Sequence, residues 1–269
     1  MAWDPILSSL RVEVTVCKRT PLDSRWDHAN YSDDVCRLYY AESGQGFVTH
    51  HGREYELRPG FLHAIPAHTV LSHRCPKRLM QHWVHFRAEL FGGTSLFDWL
   101  PCQYEARVEP SSILALMEQL RQAWGSGGPG ETFEVNGLLL QMLAPIVRTA
   151  DAEAMTRKHT ALQRIRTALE RINARPDESL GVAALADLVH LERTRFTRLF
   201  TEHMGMAPAR YRQRKRIEKA KERLWNSADT LETIAADLGF ADGFHLSKAF
   251  KKATGISPKA FRTLPRRWP

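Results

Sequence analysis

The sequence predicts an α+β protein of more than one domain, with a β-barrel or sandwich first and an all-α domain last. Short strand-like runs punctuated by Gly and Pro fill the chain to about residue 101. Helical periodicity begins near residue 111 and continues almost to the end. With 269 residues the chain can form two separate cores. We place the barrel at 1–109, a helical segment at 110–157 and the last domain at 158–269.

The N-terminal strands are predicted from apolar and aromatic runs that end at turn signals. They are Val35–Ala41, Gly46–Thr49, Arg53–Leu57, Phe61–Ile65, Thr69–His73 and Met80–Phe86. Glycine-containing turns and prolines separate them at short intervals, which is typical of an antiparallel barrel or sandwich.

Two amphipathic helices follow, predicted over Ser111–Trp124 and Glu131–Ala154 and joined by the glycine-rich loop Ser126–Gly130. Two such helices with a short connection form a helical hairpin. Their apolar stripes either cap the barrel or form a dimer interface, and the sequence favours neither alternative.

An internal repeat marks the C-terminal part. The segment Leu185–His190 is echoed by Ile234–Gly239, 49 residues later. Each segment ends a short helix and precedes a tight turn and a second helix, which buries apolar residues at i, i+3 and i+4. These buried trios are Phe196, Leu199 and Phe200 in the first unit, and Leu246, Ala249 and Phe250 in the second. The pattern predicts a tandem pair of helix-turn-helix units.

The opposite faces of the two second helices are polar or basic. They present Arg193, Thr194, Thr197 and Arg198 in the first unit, and Phe244, His245, Lys248 and Lys252 in the second. In a major groove, Arg can bond guanine bidentately and Thr can meet a base edge or a thymine methyl group. The alternative is an ordinary solvated helix face. Because residues 158–269 have a net charge of +11 and residues 1–157 one of −3, double-stranded DNA is favoured as the partner.

Between the units, Pro208–Trp225 is predicted as one long helix that holds them at a fixed separation. It is rich in arginine and lysine. We expect these residues, with Arg212 as the representative, to contact phosphates, which set the register of a protein on DNA but not its sequence preference.

The stretch Leu238–Lys252, continued by Gly255–Arg262, resembles the signature of the AraC/XylS family of transcription regulators. The resemblance covers about residues 160–263. It implies a seven-helix domain whose two recognition helices enter successive major grooves, a homodimer and contact with RNA polymerase. Analogy with the family favours activation over repression, and the sequence itself leaves both open. The family's reading positions correspond to Arg193, Thr194, Thr197 and Arg198 in the first helix, and to Gly243, Phe244, His245 and Lys248 in the second.

Two positions depart from that family's pattern. His190 stands where the family usually has glycine, and a left-handed backbone there would be strained. Glu192 replaces the usual Ser or Thr at the start of the first reading helix, and we expect it to cap less well. Asp242 is a good cap in the second unit. Since Gly243 and Phe244 offer no side-chain hydrogen bond, the first helix is expected to perform most base readout.

The N-terminal part also shows a resemblance. The segments Gly44–Gly46, Gly52–Tyr55, Arg58–Gly60 and Trp83–Arg87 resemble the cupin-like effector domain of sugar-responsive AraC relatives. This resemblance covers about residues 33–101. It implies a barrel that encloses a small sugar-like effector, and an N-terminal arm over about residues 1–25 that closes over it.

A sugar site needs an aromatic plate and convergent polar groups. Trp83 is the candidate plate and matches a pocket tryptophan of arabinose-responsive relatives. Gln81 lies two residues earlier on the same strand face, and either His73 or Ser72 falls near another ligand position. The remaining candidates are Arg37 and Tyr39, which share one face of an early strand. For each of these residues the alternative is ordinary barrel packing.

Other chemistry is not indicated. The histidines of the barrel lack the spacing of metal-binding cupins, because the neighbours His50 and His51, like His82 and His85, would face opposite sides of a strand. The scattered cysteines form no CxxC pair, and no signal peptide or membrane-length apolar run is present. We therefore expect a cytoplasmic, non-enzymatic protein without a metal or cofactor. The alternatives are a constitutive regulator whose barrel only dimerises, and a metal-dependent cupin enzyme fused to a DNA-binding domain.

Overall fold

The computed structural model describes residues 9–32, 34–90, 93–128, 130–178 and 180–263, and within these it leaves the side chains of 152 and 156–159 undescribed. The chain divides into two compact units. The first comprises Met1–Leu90 and Ser95–Arg157, and the second comprises Phe91–Thr94 and Lys158–Pro269. The first unit contains the β-sheets and the second is helical, so the predicted α+β, two-part organisation is confirmed.

The first unit contains two antiparallel sheets. The strands are β1 (Arg11–Asp23), β2 (Asp27–Tyr31), β3 (Cys36–Gly44), β4 (Gly46–His50), β5 (Arg53–Leu57), β6 (Phe61–Ile65), β7 (Leu71–Arg74), β8 (Arg78–Leu90), β9 (Thr94–Ser95) and β10 (Glu105–Arg107). One sheet has the order β1-β8-β3-β6-β10, with β9 paired to β8, and the other has the order β2-β7-β4-β5.

The inner faces of the two sheets share one core. Tyr39 and Trp83, which are directly paired across β3 and β8, belong to the same buried cluster as Val48, Leu57 and Leu71 of the second sheet. The predicted barrel or sandwich is therefore confirmed. The predicted bounds of β5 and β6 agree with the structure, while β8 extends well beyond the predicted Met80–Phe86.

Strand β1 corrects the expected N-terminal arm. Arg11–Asp23 pairs antiparallel with β8 over almost its whole length, so these residues are part of the sheet. The physical reason is visible in the alternation of Val12, Val14 and Val16 with polar residues, which has the period of a strand. Of the arm predicted over residues 1–25, residues 1–8 lie outside the described chain.

Three helices complete the first unit: α1 (Leu96–Trp99), α2 (Pro110–Ala123) and α3 (Glu131–Val147). Helices α2 and α3 form the predicted hairpin and both contact β1. Helix α3 ends seven residues before the predicted end at Ala154, because Asp151 starts a new helix there. Its carboxylate Oδ1 accepts from the backbone N–H groups of Glu153 and Ala154 at 2.9 and 3.0 Å.

The helices that follow are α4 (Ala152–Ala174), α5 (Val182–Asp187), α6 (Arg193–Met204), α7 (Pro208–Asn226), α8 (Leu231–Asp237), α9 (Gly243–Thr254) and α10 (Pro258–Arg262). Phe200 packs edge-on against Tyr211 of α7, at 5.4 Å between ring centroids. The other end of α7 packs Ile217 and Leu224 against α8 and α9. One long helix thus supports both predicted helix-turn-helix units. Within the described chain, we find no helix with the length and apolar character that crossing a membrane requires.

Candidate nucleic-acid interface and barrel interior

The first helix-turn-helix unit consists of α5, a tight turn and α6. Leu191 closes the turn by donating its backbone N–H to the carbonyl of Ala186 at 3.0 Å. His190 lies in the left-handed region, with φ of 53°. The backbone at this position is therefore left-handed, which carries the strain expected for a residue other than glycine, and histidine tolerates it better than most residues.

Glu192 caps α6. One oxygen of its carboxylate accepts from the backbone N–H groups of Thr194 and Arg195 at 2.9 and 3.1 Å. These bonds hold the pKa of Glu192 below its usual value. The expectation of a weaker cap overlooked the length of glutamate, which lets one oxygen reach two donors at the start of the helix.

The exposed side of α6 brings the predicted reading residues together. Phe196 and Phe200 are fully buried on the inner side. The opposite side is a shallow concave surface, lined by Glu192, Arg193, Thr194, Thr197, Arg198, Thr201 and Glu202. Arg195 is also exposed, and the sequence interpretation missed it because it precedes a buried phenylalanine and belongs to neither stripe. One helix face therefore offers hydrogen-bond donors, acceptors and methyl groups within three turns.

The second helix-turn-helix unit consists of α8, a tight turn and α9, and it exposes a different set of side chains. Gly239 is the left-handed turn residue, with φ of 70°, and Asp242 accepts from the backbone N–H of His245 at 2.6 Å. Leu246 and Phe250 are fully buried. The outer side exposes Phe244, His245 and Lys248, and Phe244 is 79% exposed. This face has fewer donors than that of α6.

The basic residues of α7 have a structural role that the sequence interpretation did not foresee. Arg212 donates to the backbone carbonyls of Glu178 and Leu180. The Nζ of Lys215 is buried, pairs with Glu218 at 2.7 Å and donates to the carbonyl of Gly93. Both cations thus supply hydrogen-bond donors to backbone carbonyls of loops. Arg212 therefore has a structural role in this fold, and its contact with a phosphate stays a prediction.

Arg216 is engaged in the same way. Its guanidinium donates to the carbonyls of Pro176 at 2.6 Å, Gly239 at 3.0 Å and Asp177 at 3.2 Å. These bonds join the loop after α4 to the turn of the second helix-turn-helix unit. Arg212 and Arg216 thus tie α7 to the loop before α5 and to the turn before α9, a role that the sequence pattern did not indicate.

In the first unit, most of the predicted effector residues lie on one inner sheet face. Arg37 and Tyr39 of β3 stand opposite His85 and Trp83 of β8, and Gln81 follows on the same face. Trp83 is 8% exposed, and its indole Nε1 donates to the hydroxyl of Thr20 at 3.0 Å. Gln81 and Arg37 are buried. Within the described chain, Gln81 Nε2 has no hydrogen-bond partner, which leaves a donor inside the barrel.

His73 reaches the interior from the second sheet. Its ring stacks on Trp26 at 4.1 Å between centroids, and its Nδ1 lies 3.0 Å from the hydroxyl of Tyr31. The guanidinium of Arg37 lies over the same tyrosine ring, so His73 and Arg37 flank one aromatic side chain. Trp26 and Tyr31 are partly buried residues that pack against the barrel core, and the sequence did not reveal them because they come from a loop and a short, irregular strand.

A second histidine cluster occupies another part of the interior. The Nε2 atoms of His50 and His63 are 2.9 Å apart, and the Nδ1 atoms of His50 and His51 are also 2.9 Å apart. Burial lowers the pKa of His50 to about 4 and that of His63 to about 3, so both are neutral near pH 7. The expectation that His50 and His51 face opposite sides is wrong, because His51 has a φ of 50° and leaves the strand.

A metal site does not emerge from these histidines. Among the described residues, no three or more His, Cys, Asp or Glu side chains are placed so that they could hold a metal ion.

Two family models match the chain, one to each unit. The model of an AraC-like ligand binding domain matches residues 22–143, and the model of a helix-turn-helix domain matches residues 185–263. The first match covers β2 to β10 and most of the hairpin, and the second covers α6 to α10.

Individual transcriptional regulators are also similar in sequence to this chain. The arabinose operon regulatory protein of Escherichia coli K12 is 27% identical over 234 residues, which cover 81% of this chain and 77% of that protein. The raffinose operon transcriptional regulatory protein RafR of Pediococcus pentosaceus is 27% identical over 128 residues, covering 48% and 46% of the two chains.

Among solved structures, ToxT from Vibrio cholerae O395 has the same overall fold. It aligns with a TM-score of 0.55 at 12% sequence identity and covers 95% of this chain and 97% of its own. Because a sheet-bearing ligand-binding domain precedes a tandem helix-turn-helix domain, and both match in order, the chain belongs to the AraC family of transcriptional regulators.

Proposed function

We propose that this regulator recognises a specific DNA operator mainly through α6, and that a small sugar-like effector in the barrel controls it. The observation that supports operator recognition is the exposed face of α6. There Arg193, Thr194, Thr197 and Arg198 share one surface, while the aromatic residues behind them fix the helix. An arginine on such a face can bond guanine bidentately.

The second helix has a different role in this proposal. His245 and Lys248 are its exposed polar groups near the start of the helix, and Lys251 and Lys252 follow. A run of lysines suits phosphate contacts, because an ammonium group neutralises a phosphate without reading a base. Helix α9 would therefore fix the register of the protein while α6 selects the sequence.

The effector proposal is supported by the polar atoms of the barrel interior. Trp83 supplies an aromatic ring, and Gln81 Nε2 and His73 Nε2 are buried without a hydrogen-bond partner in the described chain. A sugar combines an apolar ring face with hydroxyl groups that could satisfy both atoms. The names of two similar proteins refer to the arabinose and raffinose operons. Effector binding would change which DNA half-sites the protein reaches.

A homodimer is proposed from the outer side of α3. Phe133 is 83% exposed and Leu140 is 43% exposed, and a spacing of seven residues places them on one side of the helix. Exposed apolar side chains in such a row suit a second copy of the same helix. We further propose that the dimer acts on cytoplasmic DNA together with RNA polymerase.

Selection from random duplex DNA tests operator recognition. The full-length protein should enrich one bipartite sequence whose two halves lie about one helical turn apart, roughly 10–10.5 base pairs. Enriched and random duplexes should then compete differently for the protein at a fixed salt concentration. Equal competition by both would overturn the proposed sequence-specific function.

A thermal-shift panel of monosaccharides and disaccharides tests the effector proposal. A ligand that binds only the folded state raises the melting temperature with its concentration. We expect at least one sugar to do so for the native protein and to lose the effect in Trp83→Ala. If the native protein responds to none of these sugars while still binding its operator, the barrel senses another class of molecule or only dimerises.

A further inference from the structure

The most exposed apolar side chain of the second helix-turn-helix unit lies on its reading helix. Phe244 is 79% exposed, whereas Leu246 and Phe250 on the same helix are fully buried. Leaving an aromatic ring in water forgoes the stabilisation that burial would provide. Phe244 therefore adds nothing evident to the core of this unit, and its position calls for a contact with another molecule.

The internal repeat shows which position this is. The helix caps Glu192 and Asp242 correspond, and Thr194 and Phe244 each lie two residues after their cap. Both side chains are exposed. Phe244 thus occupies in α9 the place of one of the proposed reading residues of α6.

The residues on either side of Phe244 do not cover its ring. The preceding residue is Gly243, where a Cβ atom would lie 2.7 Å from the Glu232 carboxylate, so no side chain precedes the ring. The following residue, His245, leans edge-on against Phe240 at 5.7 Å between ring centroids. Phe244 is consequently the first residue of α9 that carries a side chain, and its ring is exposed at the start of the helix.

The charge around Phe244 indicates the chemistry of the molecule that contacts it. Lys248 and Lys251 follow it at i+4 and i+7 on α9, and both are exposed. A protein partner of an aromatic residue usually covers it within an apolar patch, but here the ring is followed by cations. A phosphate-bearing partner with an apolar group in its groove fits this combination. In the major groove of DNA, that group is the C5-methyl of thymine.

We propose that Phe244 reads thymine by contact of its ring with the C5-methyl group in the major groove. The inference rests on the proposed DNA-reading function and deepens it, because it gives the second helix a base preference of its own. The contact requires no hydrogen bond. It accounts for a reading helix that is poor in donors, and it predicts tolerance of 5-methylcytosine at the same position, since that base carries the same methyl group.

Deoxyuridine substitution tests the contact directly, because uracil keeps every hydrogen-bonding group of thymine and lacks only the methyl. Thymines of the selected operator are replaced one at a time, and binding of the full-length protein is measured. We expect one or two positions at which affinity falls about threefold to tenfold, the scale of withdrawing one methyl group from apolar contact. At those positions, Phe244→Ala should bind thymine and uracil equally, and Phe244→Leu should keep part of the difference.

The outcomes separate the two proposals. If no sequence is selected at all, the DNA-reading function fails. If a sequence is selected but uracil is tolerated at every position, or Phe244→Ala remains as sensitive as the native protein, the thymine contact fails alone. Phe244→Ala should fold normally because the ring is exposed, and circular dichroism of the variant verifies this.

Discussion

At the scale of single residues, the turns of the two helix-turn-helix units both require a left-handed backbone, but they use different residue types. His190 has a φ of 53° and Gly239 has a φ of 70°, and both residues are exposed. A Cβ atom at position 239 would lie 2.6 Å from the carbonyl oxygen of Asp177. The first turn therefore tolerates a side chain at the cost of backbone strain, and the second does not.

This difference predicts opposite effects of substitution. We expect His190→Gly to leave the free energy of unfolding unchanged or to raise it by up to about 1 kcal/mol, because glycine adopts a left-handed conformation freely. Gly239→Ala should lower it by more than about 1 kcal/mol, because both backbone strain and the clash with Asp177 act. Urea unfolding of the full chain measures both. A larger loss for His190→Gly than for Gly239→Ala would contradict this reading of the turns.

At the scale of elements, α7 is a scaffold in which Arg212, Lys215 and Arg216 donate to backbone carbonyls of loops. Arg216 connects the loop at Pro176 and Asp177 to the second turn at Gly239. We expect Arg216→Ala to lower the free energy of unfolding by about 2 kcal/mol, within the range measured for hydrogen bonds to charged groups. Arg210→Ala is the matched control, because Arg210 lies on the same helix and is exposed. Equal melting temperatures for the two variants would refute the scaffold role.

Helix α3 gives the prediction for oligomeric state. Phe133→Asp combined with Leu140→Asp should shift the full-length protein from dimer towards monomer, because two carboxylates would be desolvated in the apolar contact. Sedimentation velocity at several concentrations measures the change. Lys77→Asp in the loop before β8 is an exposed control that should leave the dimer intact. A native protein that sediments as a monomer at all concentrations would instead remove the proposed dimer.

The elements also show what sequence patterns can and cannot predict. Strands β5 and β6 follow from alternation and turn residues, and the reading helices follow from the repeat. The role of Arg212 does not, because its partners are carbonyls of a loop more than thirty residues away in the chain. Trp26 packs against the barrel core from a loop, and a loop has no hydrophobic periodicity that could predict this contact. The reading faces were predictable since helical spacing alone places their residues together.

At the scale of the whole molecule, four largely buried histidines make the stability of the first unit depend on pH. Burial lowers the pKa values of His50 and His73 to about 4 and those of His63 and His85 to about 3, from an ordinary value of 6.5. Between pH 6.5 and 4, the unfolded chain binds protons at these positions and the folded chain does not. Stability is therefore fully present above pH 6.5 and falls as the pH is lowered.

Denaturant unfolding of the full chain between pH 7 and 5 checks this linkage. Through these four histidines, unfolding of the first unit should take up about 3.7 protons at pH 5 and about one at pH 7, and His73→Phe should reduce the uptake at pH 5 by about one. The phenylalanine retains a ring against Trp26, so the variant separates protonation from packing. Stability that does not change between pH 7 and 5 would mean that these histidines are solvated in the folded protein.

The unequal division of DNA reading between α6 and α9 is tested most directly by one competition measurement. The affinity for the selected operator is compared with that for random DNA, for the native protein and for Arg198→Ala and His245→Ala. We expect Arg198→Ala to lose its preference for the operator, with a loss of about 5- to 150-fold in discrimination, as for a bidentate arginine–guanine contact. His245→Ala should keep most of its preference. An Arg198→Ala protein that discriminates as well as the native one would show that α6 does not select the sequence.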